Sequence, residues 1–209
     1  MALQNIIFDL GGVIIDIDYN RTATAFKQLG IKEFDTIYSK SKQNKLFDDF
    51  EKGIISDDDF RKEMKSHLPI GTTDTVIDGA WNALIVDFPP HRVEWLKNLS
   101  KQYRIFLLSN TNQIHVRAFT AIADEKFGKG VFESTFEQHY YSCEMGMRKP
   151  DAAIFEKVLL DNNLNREDTL FIDDSIQHIE GALKIQLPAE WLQLEKGETI
   201  EVKYASLIK

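Results

Sequence analysis

Near the start of the chain, Ile6-Ile7-Phe8-Asp9-Leu10-Gly11-Gly12-Val13-Ile14-Ile15 sets an apolar run directly against a carboxylate and two glycines. Ile6-Ile7-Phe8 has the pattern of a strand buried on both faces, as in a parallel sheet. Two later runs repeat the design: Ile105-Phe106-Leu107-Leu108 ends in Ser109-Asn110, and Thr169-Leu170-Phe171-Ile172 ends in Asp173-Asp174. Gln138 to Ser142 and Trp191 to Leu194 are weaker strand candidates. Between the strands lie helical periods such as Ala153 to Leu160, where Ile154, Phe155, Val158 and Leu159 share one face. This alternation predicts an α/β fold, a three-layer Rossmann-like parallel sheet.

The interval after the first strand is different. From about Tyr19 to Val86 no convincing strand appears, but capped helices do. Asn20 can cap a helix ending at Gly30. Ser56 with Asp59 forms a capping box, Asp replacing the usual Glu, ahead of Phe60 to Leu68. Ile77, Ala80, Trp81, Leu84 and Ile85 follow a helical period. Pro89-Pro90 then punctuates, and His91 to Leu99 returns as a helix. Phe47, Phe50 and Phe60 read as the inner core of this segment. Residues 19–86 are therefore expected to form an inserted helical cap, and residues 1–18 with 87–209 the sheet domain. Helices inserted after a parallel strand sit over the ligand crevice, so a lid is expected.

The chain has 209 residues, 33 acidic against 25 basic, and a net charge of −8. That balance argues against a nucleic-acid binder, which needs a basic face. One cysteine, Cys143, cannot form an internal disulfide and reads as a small core residue. No apolar run approaches a membrane span and no leader pattern opens the chain. The expectation is a cytoplasmic protein without nucleic-acid or membrane partners, a monomer or weak homodimer.

In an open parallel sheet the reactive groups gather at the carboxyl ends of strands. Those ends offer Asp9, Ser109, Asn110, Asp173 and Asp174, with Lys149 in the loop Gly146-Met147-Arg148-Lys149-Pro150. Singly, each is ordinary: an Asp after a strand often forms a turn, and a loop lysine is usually solvated. Adjacent carboxylates ending an apolar strand, however, repel unless a cation is near.

The series FDLGGV (8–13), LLSNT (107–111), GMRKP (146–150) and FIDDSIQHIEGA (171–182) resembles, in order, the four motifs of the haloacid dehalogenase superfamily. FDLGGVIIDIDYNR, LSNTN followed by His115, and GMRKP resemble its α-glucose-1-phosphatase branch. The resemblance implies a Mg²⁺-dependent phosphatase acting on a small phosphorylated metabolite, a sugar phosphate above all. Asp9 would attack phosphorus and carry an aspartyl-phosphate, with Lys149 as compensating cation. Asp9, the carbonyl of Gly11 and Asp174 would hold Mg²⁺, with Asp173 ligating directly or orienting a water. Ser109 and the following backbone amides, that of Asn110 first, would hold the phosphoryl oxygens.

Two positions depart from the superfamily pattern. Gly11 stands where an acid/base Asp is usual, a loss worth about 10²–10⁴ in rate. A good leaving group, such as an anomeric oxygen, would lessen that loss; delivery of the proton by Asp16 or Asp18 is the other route. His178 replaces an expected Asp or Asn, and its imidazolium would repel Mg²⁺, so activity is expected to fall below about pH 6.5. Gln177 is also unusual beside relatives. His115 is read as lining the site or packing its helix, and His67, His91 and His139 as surface or cap residues. Trp81 and Trp95 read as packing anchors. Competing functions are a phosphometabolite-binding pseudoenzyme, a phosphomutase, and a metal-independent 2-haloacid dehalogenase, the last disfavoured by Asp173-Asp174.

Overall fold

A computed structural model describes residues 2–34 and 45–208; residues 35–44 of the expected cap lie outside the described residues. Five strands form one parallel sheet in the order β5-β4-β1-β6-β7. They are β1 (Asn5–Phe8), β4 (Arg104–Ser109), β5 (Gln138–Tyr141), β6 (Thr169–Asp173) and β7 (Ala189–Trp191). The first strand is central because it is apolar on both faces: Ile6, Ile7 and Phe8 are all fully buried. Its alternating side chains serve two cores. Ile6 and Phe8 join Ile105, Leu107 and Ile172 on one face, whereas Ile7 joins Phe106, Leu108 and Phe171 on the other.

Helices cover both faces. On the first lie α5 (Pro90–Leu99) and α6 (Gln113–Phe127), packed through Val93, Leu96, Leu99, Phe119 and Ala123. On the second lie α8 (Ala152–Asp161) and α9 (Ile176–Lys184), packed through Ile154, Phe155, Val158, Leu159, Ile179 and Ala182. Three layers result, and the four residues expected on the inner face of Ala153 to Leu160 are all buried.

Between β1 and α5 the described residues form four helices: α1 (Tyr19–Leu29), α2 (Lys45–Glu51), α3 (Asp57–Ser66) and α4 (Asp74–Asn82). They enclose an aromatic core of their own, in which Phe50 stacks on Phe60 at 4.4 Å and Phe47 on Trp81 at 5.5 Å. The capping box is present, with Asp59 N donating to Ser56 Oγ and Ser56 N to Asp59 Oδ2. No helix among the described residues is long and apolar enough to cross a membrane.

Four local expectations change. The cap of α1 is Asp18, which accepts from the N–H of Asn20, because the helix starts at Tyr19, two residues earlier than an Asn20 cap allows. Leu84 and Ile85 lie beyond α4; the chain leaves the helix at Asn82 and Ile85 enters β3 (Ile85–Asp87). That strand pairs antiparallel with β2 (Asp16–Ile17), a short ribbon at the junction of sheet and cap where no strand was expected. The last sheet strand is Ala189–Trp191, ahead of the expected Trp191 to Leu194, which instead turns into a 3₁₀ segment at Leu194–Lys196.

The ribbon places Asp16 directly opposite Asp87. Facing like charges destabilise a strand pair, and each is met by its own cation: Arg92 Nη1 lies 3.0 Å from Asp16 Oδ1, and Lys126 binds Asp87.

Candidate active site

Strand register builds the centre of the site. Phe8 is level with Leu107 on one side and Ile172 on the other, so the next residues, Asp9, Leu108 and Asp173, stand at one height near the carboxyl ends of three adjacent strands. Lys149 enters above them from the loop preceding α8. Its Nζ donates to Asp9 Oδ1 at 2.6 Å, Asp173 Oδ2 at 2.7 Å and the Leu108 carbonyl at 2.9 Å. Three acceptors satisfy the three protons of one ammonium, and the side chain is 0% exposed. Lys149, which taken singly would read as a solvated loop cation, is fully buried between Asp9 and Asp173, where the compensating cation is expected.

Asp173 is equally enclosed. Its Oδ1 accepts from the Ser175 N–H at 2.8 Å, and both oxygens lie within 3.0 Å of His178 Nδ1. Burial pushes its pKa up, but the charges of Lys149 and His178 and the bonds they donate outweigh this and hold it below the usual carboxylate range. Asp9 goes the other way: burial raises it most, Lys149 opposes, and the neighbouring charge of Asp173 adds to the rise. Lys149 pays a burial penalty that Asp173 and Asp9 overcome, so it stays protonated with a raised pKa.

Asp174 completes the cluster, and oxygens of Asp9, Asp173 and Asp174 all lie within 4.8 Å of one another. Trp191 Nε1 donates to its backbone carbonyl at 3.0 Å. Gly12, at φ +79°, lets the strand-end loop pass it; a Cβ there would meet Asp174 Oδ2 at 2.9 Å. Asp9 and Asp173 share one buried ammonium and the half-buried Asp174 lies beside them, so three carboxylates offer a donor set of hard oxygens. Such a set suits a small divalent cation.

His178 is drawn toward the neutral state. Burial lowers its pKa below the ordinary imidazole value, against the pull of Asp173. The pH at which it charges therefore lies lower than the sequence expectation of about 6.5, because that figure describes a solvated imidazole.

Asp9, Asp174 and His178 line a cavity of about 140 Å³ that also receives Gly11, Ser109, Asn110 and His115; Lys149 and Asp173 are not among its lining residues and adjoin it through the bond of Lys149 to Asp9. All the predicted site residues are thus brought to one place. Asp16 and Asp18 are not among the lining residues: the first is held by Arg92 and the second caps α1. Beside Gly11, Ile17 fills the space, since a Cβ on Gly11 would lie 2.9 Å from its Cδ1.

The cap contributes Tyr19, Glu51 and Trp81 to the same walls. Trp81 and His115 fix α4 to the start of α6: the rings stack at 4.9 Å, His115 Nε2 meets the Trp81 carbonyl at 3.2 Å, and Trp81 Nε1 donates to Asn112 Oδ1. His115 therefore both lines the cavity and packs its helix, and burial lowers its pKa to about 4. Arg148 was not singled out in sequence, although it neighbours Lys149. It joins the loop to the cap through Asp48 and through Glu51 Oε2 at 3.0 Å. Ser142, the first residue of α7 (Ser142–Met145), adds a second link, its Oγ 2.6 Å from the Glu51 carbonyl. Only the adjacency of Arg148 to the GMRKP lysine signalled it; nothing in sequence pairs Glu51 with a residue so distant.

Comparison with known proteins agrees with this geometry. A curated D-ribitol-5-phosphate phosphatase from Bacteroides thetaiotaomicron is 31% identical over 195 residues, spanning 93% of each chain. A solved HAD family enzyme from the same organism, in complex with magnesium and inorganic phosphate, superposes with a TM-score of 0.86 at 32% identity, covering 90% of this chain and 93% of that one. A predicted HAD-like family hydrolase from Porphyromonas gingivalis gives a TM-score of 0.87 at 27% identity, covering 100% and 99%. The haloacid dehalogenase-like hydrolase model matches residues 3–185, from just before β1 to just after α9, and with all the strand-end carboxylates inside that span the chain belongs to the haloacid dehalogenase-like hydrolases.

Proposed function

We propose that this hydrolase is a phosphomonoesterase acting on a small sugar or polyol phosphate. The observation that carries the reading is the Lys149 ammonium held between Asp9 and Asp173 with Asp174 beside them. A buried nucleophilic carboxylate with a fixed cation suits attack on an anionic phosphoryl group, where two like charges must approach.

Asp9 attacks phosphorus, a P–O bond to Asp9 forms, the P–O bond to the leaving oxygen breaks, and that oxygen takes a proton from solvent water to leave as the alcohol. Water then attacks the same phosphorus and returns a proton to solvent, the bond to Asp9 breaks, and inorganic phosphate leaves with the carboxylate restored. Lys149 fixes the Asp9 rotamer through Oδ1 and offsets charge in both halves. Ser109 and the backbone amide of Asn110 hold phosphoryl oxygens. Asp173 supports Lys149 and His178, whose donors already engage its oxygens, more than it meets the metal itself.

The residues fit Mg²⁺: Asp9, Asp174 and the Gly11 carbonyl would hold it, with Asp173 behind them. When bound, the ion supplies positive charge against the phosphoryl oxygens and lowers the barrier to anionic attack. The relative that hydrolyses a pentitol 5-phosphate supports a substrate of that size, and a cavity of about 140 Å³ suits a small leaving group. The division into a sheet domain at 1–18 and 87–209 and a cap at 19–86 gives specificity to the cap.

A second reading, a binding protein that holds a phosphometabolite without turnover, draws on Gly11, where Ile17 occupies the space of the usual acid. A phosphatase screen over sugar and polyol phosphates, with and without Mg²⁺, separates the two. Metal-dependent release of phosphate, absent in Asp9→Asn, supports catalysis; tight binding with no release supports the second reading.

A further inference from the structure

We infer that the side chain of Asn110 is a positioning group for Lys149: it clamps the lysine backbone and, with Gly181 behind Pro150, sets where the ammonium meets Asp9. The inference rests on the phosphatase reading above.

Asn110 Nδ2 donates to the Lys149 carbonyl at 2.9 Å, and the Lys149 N–H donates to Asn110 Oδ1 at 2.9 Å. One amide thus pairs with both backbone groups of one residue, across 39 positions of sequence. Lys149 lies outside every sheet ladder, so this pair does for it what a neighbouring strand does for a strand residue. The Asn110 amide also approaches His178 Nε2, at 3.5 Å.

The loop is confined from the other side by α9. A Cβ on Gly181 would lie 2.5 Å from the Pro150 carbonyl oxygen and 2.8 Å from Pro150 Cβ. Glycine is required there for room, since its backbone is ordinary helix. Lysine has a long flexible stem, so the position of its ammonium depends on where the stem is anchored. Asn110 and Gly181 fix that anchor, and Lys149 Nζ reaches its three acceptors from it. The backbone amide of Asn110 stays available to the cavity whatever the side chain does.

A side chain that grips substrate and one that positions Lys149 give different kinetics. The test uses the full chain with Asn110→Ala, Asn110→Asp, Gly181→Ala and the Asn110→Ala/Gly181→Ala double variant. Steady-state rates are measured on a sugar phosphate that the parent hydrolyses, and amide exchange at Lys149 is followed by NMR. Asn110→Ala is expected to lower kcat by about 10²-fold, the cost of a misplacement near 1 Å, with KM unchanged. Asn110→Asp keeps the acceptor for the Lys149 N–H and falls between Asn110→Ala and the parent. Gly181→Ala, remote from the cavity, repeats the kcat-only loss, and the double variant loses little more than Asn110→Ala alone. The Lys149 amide exchanges faster in Asn110→Ala while the β1 amides stay protected.

A raised KM with unchanged kcat, a double variant whose losses multiply, or unaltered exchange at the Lys149 amide overturns the inference. If the parent hydrolyses no phosphomonoester, the phosphatase reading fails, and exchange at Lys149 alone then decides whether the clamp exists.

Discussion

The Cδ1 atom of Ile17 stands 2.9 Å from where a Cβ on Gly11 would be, so a residue of the β2–β3 ribbon occupies the place of the side chain that superfamily phosphatases use as acid and base. Restoring that carboxylate is therefore a two-residue problem. Gly11→Asp alone is expected to change turnover of alkyl phosphates little. Gly11→Asp with Ile17→Ala is expected to raise it, toward the ~10²–10⁴ that acid/base catalysis supplies. Parallel kinetics on a sugar 1-phosphate and a 6-phosphate check this; the gain belongs to the 6-phosphate, whose leaving group needs the proton more. Equal gains from the single and double variants would remove Ile17 from the account.

Lys149 is expected to matter for stability as well as rate. Lys149→Met leaves Asp9 and Asp173 buried side by side without their cation. Breaking one partner of a buried pair typically costs about 3–5 kcal/mol. A urea titration should show a loss of that order, and an arginine in place of the lysine should not restore activity, because its planar fork does not reproduce three convergent bonds from one nitrogen.

The half-buried His115 imidazole stacks on Trp81, and desolvation lowers its pKa from 6.5 to about 4. Between these values the unfolded chain binds a proton that the folded chain refuses, so stability rises with pH across the window. The contribution is complete above about 6.5 and is lost as pH falls toward about 4. Unfolding midpoints at pH 5 and pH 7.5 should differ more for the parent than for His115→Gln. Identical differences would show that His115 titrates as a solvated residue.

Magnesium is expected to stabilise the fold before any substrate is present, since the carboxylate cluster exists only in the folded chain. At a concentration of 100 Kd the gain is about 2.7 kcal/mol. Thermal unfolding with and without Mg²⁺ should show the shift in the parent and a much smaller one in Asp174→Asn. An equal shift in both would place the ion elsewhere.

The sheet was legible where residues act locally. Ile6-Ile7-Phe8, Ile105 to Leu108 and Thr169 to Ile172 are strands because runs of apolar residues need two covered faces, and the carboxylates that end them mark the crevice. The capping box at Ser56 and the aromatic core of Phe47, Phe50 and Phe60 were equally readable. What escaped depends on distance in sequence. The ribbon of Asp16–Ile17 with Ile85–Asp87 is too short to show a period, and its pairing joins the two ends of the insertion. Asp18 and Asn20 are both good caps, and only the start of α1 chooses between them. The link of Arg148 to Asp48 and Glu51 is fixed by how the cap docks, which no local pattern encodes.

The central claim is that Asp9 becomes phosphorylated during turnover. Acid quenching of the enzyme with a sugar phosphate and Mg²⁺, followed by peptide mass analysis, tests it most directly. The account predicts a peptide containing Asp9 heavier by one phosphoryl group, with no such peptide from Asp9→Asn. Steady release of phosphate by the parent with every Asp9 peptide unmodified, or undiminished release by Asp9→Asn, would contradict it.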